Sequence, residues 1–562
     1  MKSLYLIVSI VLFLGFSLKA EDKVYERAYV HTDKDCYIAG EDILLKFYVV
    51  NSDFQPSNLS KVGYVEICDT EKPWIQLSVA LEKGGGAGKI TIPGNIPTGN
   101  YRLSGYTRYM RNEGKNVFFN KLIAIVNVAQ QIPDSKRFEP VEKPDDIPLM
   151  NQEQTNEKET AGLLIKTDQD RYGNRKKVIL SLDNISGNAA DLVISVSRDD
   201  SIAKVPEIDD GKWLKQVTDT FPFSLQWLPE YEGQIISGRF VPEPKESLHS
   251  NIAFVGNDIR YFNGKQNSLN GTTEFYTSGI FGKQQIVTSV VSLVYGKVPY
   301  RIDLISPFCE LLPDSLPVLQ IYPNEKRLLE RYVGVQIKEK AENDSLNLPV
   351  QLLGYCTFQP VKTYDLDQYT RFGTISETIL EFITRLRVTK VNGKRTISAY
   401  LDEENQFSVR TLVLLDGVPI YNHEDILGYN PINIKLINIY DGRYTFCGEN
   451  FEGIVSFVTR KSDLPFFQLS DGSQLFNYNC PQLPPSFESP DYSTGEAKNF
   501  RKPDFRHTLY WNPSVKSATG QPVNFSFYTS DLCGEFKVTV EGITTDGKVI
   551  HATSHFQVIA AK

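Results

Sequence analysis

The stretch "YVHTDKDCYIAGEDILLKFYVV", Tyr29 to Val50, decides how the rest of the chain is read. In its second half Ile43, Leu45, Phe47 and Val49 alternate with Leu44, Lys46, Tyr48 and Val50. A period of two puts the first set on one face of a β-strand and the second set on the other. The strand is half-buried, yet it carries apolar residues on both faces. It is one strand of a β-sandwich over 21–130. Gly84-Gly85-Gly86 and Pro93-Gly94 punctuate its later strands, and "VFFNKLIAIVNV", Val117 to Val128, closes it.

The opening motif returns. "LIKTDQDRY", Leu164 to Tyr172, repeats "YVHTDKDCY", Tyr29 to Tyr37, at an offset of 135 residues. Thr, both Asp and Tyr coincide, and Ile43, Leu45 and Phe47 align with Val178, Leu180 and Leu182. So long a period indicates tandem sandwich modules and not a solenoid. The aspartates read as turn residues whose side chains bond nearby backbone amides. Calcium is the alternative, but an EF-hand loop needs a third oxygen ligand and a Gly at its sixth position. Tyr37 and Tyr172 occupy the relevant place instead.

Length and composition set the frame. With 562 residues the chain exceeds one core and divides into several domains. Aromatics at 12% and short alternating runs of Val, Ile and Thr favour strands over helices. Residues 1–20, "MKSLYLIVSIVLFLGFSLKA", read as a secretory signal peptide: Lys2, an apolar run, and Ala20 before the cut. Its removal deletes Lys2 and Lys19 and no acid, taking the net charge from −8 to −10. That acidity argues against nucleic acid or an anionic membrane surface as partner. No later segment has the length and apolarity of a transmembrane helix. Seven cysteines lack C-x-x-C spacing and are too sparse for a disulfide scaffold, so they read as buried small hydrophobes.

The remaining boundaries follow from composition. Residues 131–160, with Pro133, Pro140, Pro144, Pro148 and "NQEQTNEKET", read as a linker. A second sandwich repeat begins at 161–228, and 229–320 holds further sandwich strands. Residues 321–370 are a helical or irregular connector, whose "EKRLLERYVGVQIKEKAE", Glu325 to Glu342, has helical spacing through Leu328, Leu329, Val333 and Ile337. A second helix is expected over Glu377–Leu386, with Ile379, Leu380 and Ile383 on one face. Residues 371–465 form a small α/β unit: strand, Asp416-Gly417 turn, helix-like "NHEDIL", strand, hairpin. Residues 466–505, with five prolines from Pro481 to Pro503, read as a second linker. Residues 506–562 finish the chain as a sandwich of their own.

Three segments resemble known families. Thr32, Asp33, Tyr37, Gly40, Glu41 and Ile43, with Gly99, Tyr101 and Leu103, resemble the macroglobulin-like domain of α2-macroglobulins. That resemblance implies a seven-stranded sandwich and no activity by itself. Thr411 to Arg460 resembles the plug domain of TonB-dependent outer-membrane receptors. The matching residues are Val413-Leu414-Leu415-Asp416-Gly417-Val418-Pro419, Pro431, Ile434, Ile437, Ile439, Gly442, Phe451, Gly453-Ile454-Val455 and Thr459-Arg460. A receptor barrel needs well over ~200 residues, so the chain is not expected to transport by itself. Arg506, Thr508, Trp511, Pro513, Val523–Phe527 and Gly534–Val540 resemble the macroglobulin-family domain that precedes the thioester domain. The combination resembles exported proteins of Bacteroidota.

In α2-macroglobulins a Cys-Gly-Glu-Gln thioester joins the cysteine sulfur to the side chain of a Gln three residues on. Here that position is Phe536 after Cys533 and Asn450 after Cys447. His551 and His555 have zinc-like spacing only on a helix. In a strand four residues span about 13 Å, too far for one ion with ligands near ~2.1 Å. His423, beside Glu424 and Asp425, reads as part of a helix start capped by Asn422. Nucleophile-elbow, zincin, P-loop and dinucleotide motifs are absent. No catalytic, cofactor-binding or metal residue is assigned. The expectation is a mainly β, exported, non-enzymatic protein of the periplasm or outer membrane, serving binding or assembly with a protein or glycan partner, as an accessory of an outer-membrane TonB-type complex. The alternative is a macroglobulin-type protease-binding protein lacking a thioester.

Overall fold

The structure is a computed structural model. It describes most of the chain from 25 to 560, leaving aside 131–136, 142–161, 206–212, 292–298, 345–358, 495–502 and a few shorter gaps. The expected signal peptide and most of the first expected linker lie outside the described residues.

The chain is mainly β. Strand Asp42–Val50 lies between Arg27–Thr32 and Gly85–Thr91 in a three-stranded sheet. A five-stranded sheet covers it, in the order Cys36–Ile38, Phe119–Val126, Gly99–Thr107, Val62–Cys68, Pro73–Ala80. Ile43, Leu45 and Phe47 are fully buried between the sheets, as a two-residue period requires. The sandwich has eight strands where seven were expected. The short Cys36–Ile38 pairs in parallel with the last strand and counts as the eighth.

A second sandwich repeats this plan strand for strand. Leu163–Thr167, Lys177–Asn184 and Val523–Tyr528 form its small sheet. Its large sheet runs Arg171–Tyr172, Val549–Val558, Gly534–Thr544, Ala190–Arg198, Thr508–Ser517. The two-residue strand Arg171–Tyr172 again pairs in parallel with the last strand. This corrects the expectation that the repeat beginning at 161–228 runs on into the strands of 229–320 and that 506–562 is a sandwich of its own. Each stretch supplies half of the strands, and neither closes a core alone. The shared core joins Leu180, Leu182 and Ile194 to Phe527, Phe536 and Val540. Where the first sandwich turns from its fourth to its fifth strand within Asp69–Lys72, the second inserts residues 199–507.

The turn motif is the same in both. Tyr37 donates its hydroxyl proton to Asp33 at 2.8 Å, and Tyr172 donates to Asp168 at 2.8 Å. Asp33 accepts from the Leu44 amide at 3.0 Å and Asp168 from the Ile179 amide at 2.7 Å. These side-chain bonds to backbone amides are the turn chemistry expected for the motif.

Among the described residues the insertion holds two larger units, beside a small sheet of Ala203–Lys204, Leu319–Ile321 and Phe138–Pro140. One is a seven-stranded antiparallel sheet: Arg301–Ile305, Ile235–Val241, Thr272–Tyr276, Tyr261–Asn267, His249–Phe254, Lys283–Val291, Ser473–Asn479. It bends at Tyr261–Asn267, whose first half pairs with one neighbour and second half with the other. The seventh strand corrects the second expected linker. Prolines crowd the residues after it, but Ser473–Asn479 alternates half-buried and exposed positions and pairs along its whole length with Lys283–Ser289. Gln482 beyond it is also held, accepting from Ala80 N at 2.9 Å on the edge of the first sandwich.

The other unit is α/β. Its main sheet runs Lys362–Asp365, Ile434–Phe446, Glu449–Thr459, Leu412–Leu415, Val418–Pro419. A smaller sheet of Leu386–Val391, Lys394–Leu401 and Gln406–Ser408 lies with it, and helix Ile375–Phe382 starts at a Thr374–Glu377 capping box. Helix Glu325–Asp344 packs outside it, against the first sandwich. Its inward face is Leu328, Arg331, Tyr332 and Val335, and Leu329 points to solvent, so the expected face is turned. Among the described residues no helix is long and apolar enough to cross a membrane.

The second face of Asp42–Val50 also finds a partner. Leu44 packs with Val193 and Trp511 of the split sandwich, and Lys46 reaches Asp191 at 3.8 Å. Thr508 donates to Asp33 at 2.8 Å across the same junction. The apolar residues on both faces of that strand mark a sandwich that is itself packed on another.

Candidate interaction site

The α/β unit is organised by Asp416. It ends the strand Leu412–Leu415 in a tight turn, with φ of 47° at Asp416 and 78° at Gly417. Asp-Gly suits this turn because both central residues take positive φ. The carboxylate is fully buried and accepts from Thr459 N at 2.7 Å, Thr459 Oγ1 at 2.7 Å and Leu464 N at 2.9 Å. Burial pushes this carboxyl up, against the pull of those hydrogen bonds. The backbone of the turn docks on the seven-stranded sheet. Gly256 N donates to the Asp416 carbonyl at 2.9 Å, and a Cβ on Gly417 would stand 2.8 Å from the Asp258 carbonyl oxygen.

The bond from Leu464 fixes a strained loop. Ser462, Leu464 and Phe466 have φ of 54°, 52° and 59°, a region that bulky residues rarely adopt. Tyr429 donates to the Pro465 carbonyl at 2.5 Å. With its backbone held this way, the Phe466 ring is 93% exposed. The same unit exposes more apolar surface: Leu380 on helix Ile375–Phe382 is 83% exposed, and Ile432 in the turn Pro431–Asn433 is 56% exposed. These segments are tied together. Tyr429 O accepts from Ile375 N at 3.1 Å, and Ile432 O accepts from Arg460 Nε at 3.2 Å. Hydrogen bonds from Arg460 and then Arg371 hold the Asp367 carboxyl down at about 2. The result is one end of the unit, braced by ion pairs, that presents large apolar side chains to water. Such patches mark contact surfaces.

Sequence reasoning did not single out this end. Ile379 and Ile383 are buried as expected, but Leu380 lies about 100° round the helix from Ile379 and faces out. Phe466 stands where the second linker was expected to begin.

His423 starts the short helix Glu424–Leu427, and its Nδ1 accepts from Ile397 N at 3.0 Å. Burial lowers its pKa to about 4. Glu424 turns away to Arg395, 2.7 Å. Asn422 donates to the Asp425 side chain at 2.7 Å and makes no side-chain cap, which corrects its expected role. His551 and His555 lie on strand Val549–Val558, and His551 stands 3.6 Å from Glu541. Glu541 also binds His31 of the first sandwich. Burial would raise the Glu541 carboxyl, but His31 and His551 hold it at about 2. Cys533 has no glutamine partner, since Phe536 is core. Cys447 lies outside the described residues, and Asn450 accepts from Thr445 Oγ1 at 2.9 Å in its hairpin. Burial pushes the Cys68 and Cys480 thiols up to about 12, as suits inert packing. A groove of about 370 Å³ is lined by Val241, Pro242, Tyr300, Arg301 and Leu469–Gln474 where the two ends of the seven-stranded sheet meet.

No protein-family model matches the chain, and no curated protein matches it. Solved structures of bacterial α2-macroglobulins are similar to it at low identity. One is the Salmonella protein reacted with methylamine, at 9% identity and TM-score 0.25, covering 96% of this chain and 40% of that one. Another is the Escherichia coli protein activated by porcine elastase, at 9% identity and TM-score 0.25, covering 95% and 44%. The native E. coli protein matches at 8% identity and TM-score 0.24, covering 96% and 40%. The chain spans about two fifths of the length of the solved α2-macroglobulins to which it is similar.

Proposed function

We propose that this chain is an exported cell-envelope protein that binds or assembles a partner and does no chemistry of its own. The observation that carries this reading is the apolar end of the α/β unit, with Phe466 exposed on a strained loop, Leu380 on helix Ile375–Phe382 and Ile432 in the turn Pro431–Asn433. Aliphatic Leu and Ile beside an exposed Phe suit a protein partner better than a glycan. Strand, Asp-Gly turn, helix, strand and hairpin follow in the order that resembles a receptor plug. That order supports an accessory role at an outer-membrane TonB-type complex, with the macroglobulin-like sandwiches as its mount. The test is crosslinking in intact cells followed by affinity recovery. Wild type should bring down outer-membrane proteins, and Phe466→Ser with Leu380→Ser should lose them about tenfold. A partner-free periplasmic monomer would overturn the reading.

The paired sandwiches of one strand plan favour a second reading, a protease-binding protein of the macroglobulin type without a thioester. It expects a stable complex with an added protease and no mass change with methylamine, because Phe536 offers no acyl group.

A further inference from the structure

Glu230 lies between the first sandwich and the seven-stranded sheet, with no exposed surface. Its backbone carbonyl accepts from Lys61 N of the sandwich at 2.8 Å. Its side chain meets Tyr64 of strand Val62–Cys68, whose hydroxyl is 2.9 and 3.1 Å from its two oxygens. Ile235 N, at the start of a sheet strand, donates to Oε1 at 2.7 Å. A hydroxyl has one proton, so two donors serve a group that needs more when ionised.

Among the described residues no cation forms an ion pair with it, although Arg108 and Arg111 act on it from a distance. Arg108, which follows strand Gly99–Thr107, gives Nη2 to Glu274 of the sheet at 2.5 Å. Its Nη1 goes to Ile235 O at 3.2 Å and Ser237 Oγ at 3.3 Å. Glu274 takes two further bonds, from Asn267 at 3.1 Å and Tyr276 at 2.9 Å. Arg111 stacks on Trp227, 3.6 Å from the ring centroid. One guanidinium therefore sits between two buried carboxylates and binds only one. The joint is also short of partners: the Gln234 amide and the Tyr478 hydroxyl are buried without a hydrogen bond among the described residues. Tyr64 and Tyr478 are neutral groups, pushed further up by burial.

We propose that Glu230 carries a proton in the closed joint between the first sandwich and the seven-stranded sheet, and that its ionisation loosens that joint. Burial raises its carboxyl from 4.5 to about 7, against the opposing pull of Arg108. The closed state therefore binds a proton that the opened state releases. The stabilisation is complete below 4.5, falls as pH rises, and is lost once pH passes about 7. The seven-stranded sheet then moves more freely on the first sandwich.

Hydrogen exchange of the full chain tests this, read on peptides covering Leu228–Val241 and corrected for intrinsic rates. Wild type should open about ten- to a hundredfold more often at pH 7.5 than at pH 5, then level off. Glu230→Gln, which keeps the shape and stays neutral, should hold the low-pH protection throughout. Flat wild-type protection, or the same slope in the variant, overturns the proposal. A second reading needs no variant: a buried protonated carboxyl band in the infrared at pH 6 that vanishes by pH 8. Its absence at pH 6 also overturns the proposal.

Discussion

Arg331 and Glu41 stand 290 residues apart in the chain and form a buried ion pair, Nε to Oε1 at 2.8 Å. The same guanidinium donates to the Cys36 carbonyl at 3.0 Å, and Lys34 adds a contact to Glu41 at 3.3 Å. Burial alone would raise the Glu41 carboxyl; Arg331 and Lys34 outweigh it and hold it well below the usual range. The pair fastens helix Glu325–Asp344 to the turn that opens the first sandwich.

Removing one partner leaves the other charged and buried. Arg331→Met should cost about 3–5 kcal/mol in urea unfolding, and adding Glu41→Gln should recover much of it. Equal stability of Arg331→Met and wild type would show that the helix does not depend on the pair.

The repeated turn predicts matched losses. Asp168→Ala leaves the Ile179 amide and the Tyr172 hydroxyl without their acceptor and should cost about 1–3 kcal/mol. Asp33→Ala should cost at least as much, because Asp33 also accepts from Thr508 across the junction. Chemical denaturation of the two variants gives the comparison.

The split sandwich makes a prediction about fragments. Residues 162–198 joined by a short turn to 508–560 should fold and unfold cooperatively, since all eight strands of the core are present. Residues 506–562 alone should stay unfolded by circular dichroism. They lack Leu163–Thr167, Lys177–Asn184 and Ala190–Arg198, which pair with their strands or fill their core.

His423 predicts an acid limb. Its Nδ1 accepts a backbone hydrogen bond and must be unprotonated, and burial lowers its pKa from 6.5 to about 4. The unfolded chain therefore binds the proton first. Stability is full above 6.5 and is lost as pH falls toward 4, by up to roughly 3 kcal/mol. Unfolding midpoints between pH 7 and 4 should fall more steeply in wild type than in His423→Gln.

Much of this architecture is legible along the chain. The Thr-Asp-x-x-x-Tyr turn and the alternation of Ile43, Leu45 and Phe47 are local patterns with local causes, namely side-chain bonds to nearby amides and a two-residue period. They identify both sandwiches and the face that each strand buries. The Asp416-Gly417 turn and helix Glu325–Asp344 are legible for the same reason. The apolar end of the α/β unit was not. Phe466 and Ile432 are single residues, and only the packing around them shows that they are exposed.

Tertiary structure alone decided which strands close each core. Ala190–Arg198 pairs with Thr508–Ser517 across an insertion of two units, and Ser473–Asn479 leaves an expected linker to complete a sheet. Strand pairing is made by backbone groups that every residue carries, so the sequence of a strand shows that it pairs and which face it buries. It does not show with which strand. That choice rests on the whole core, where Phe536 and Leu180 meet, and on the junction where Leu44 meets Trp511.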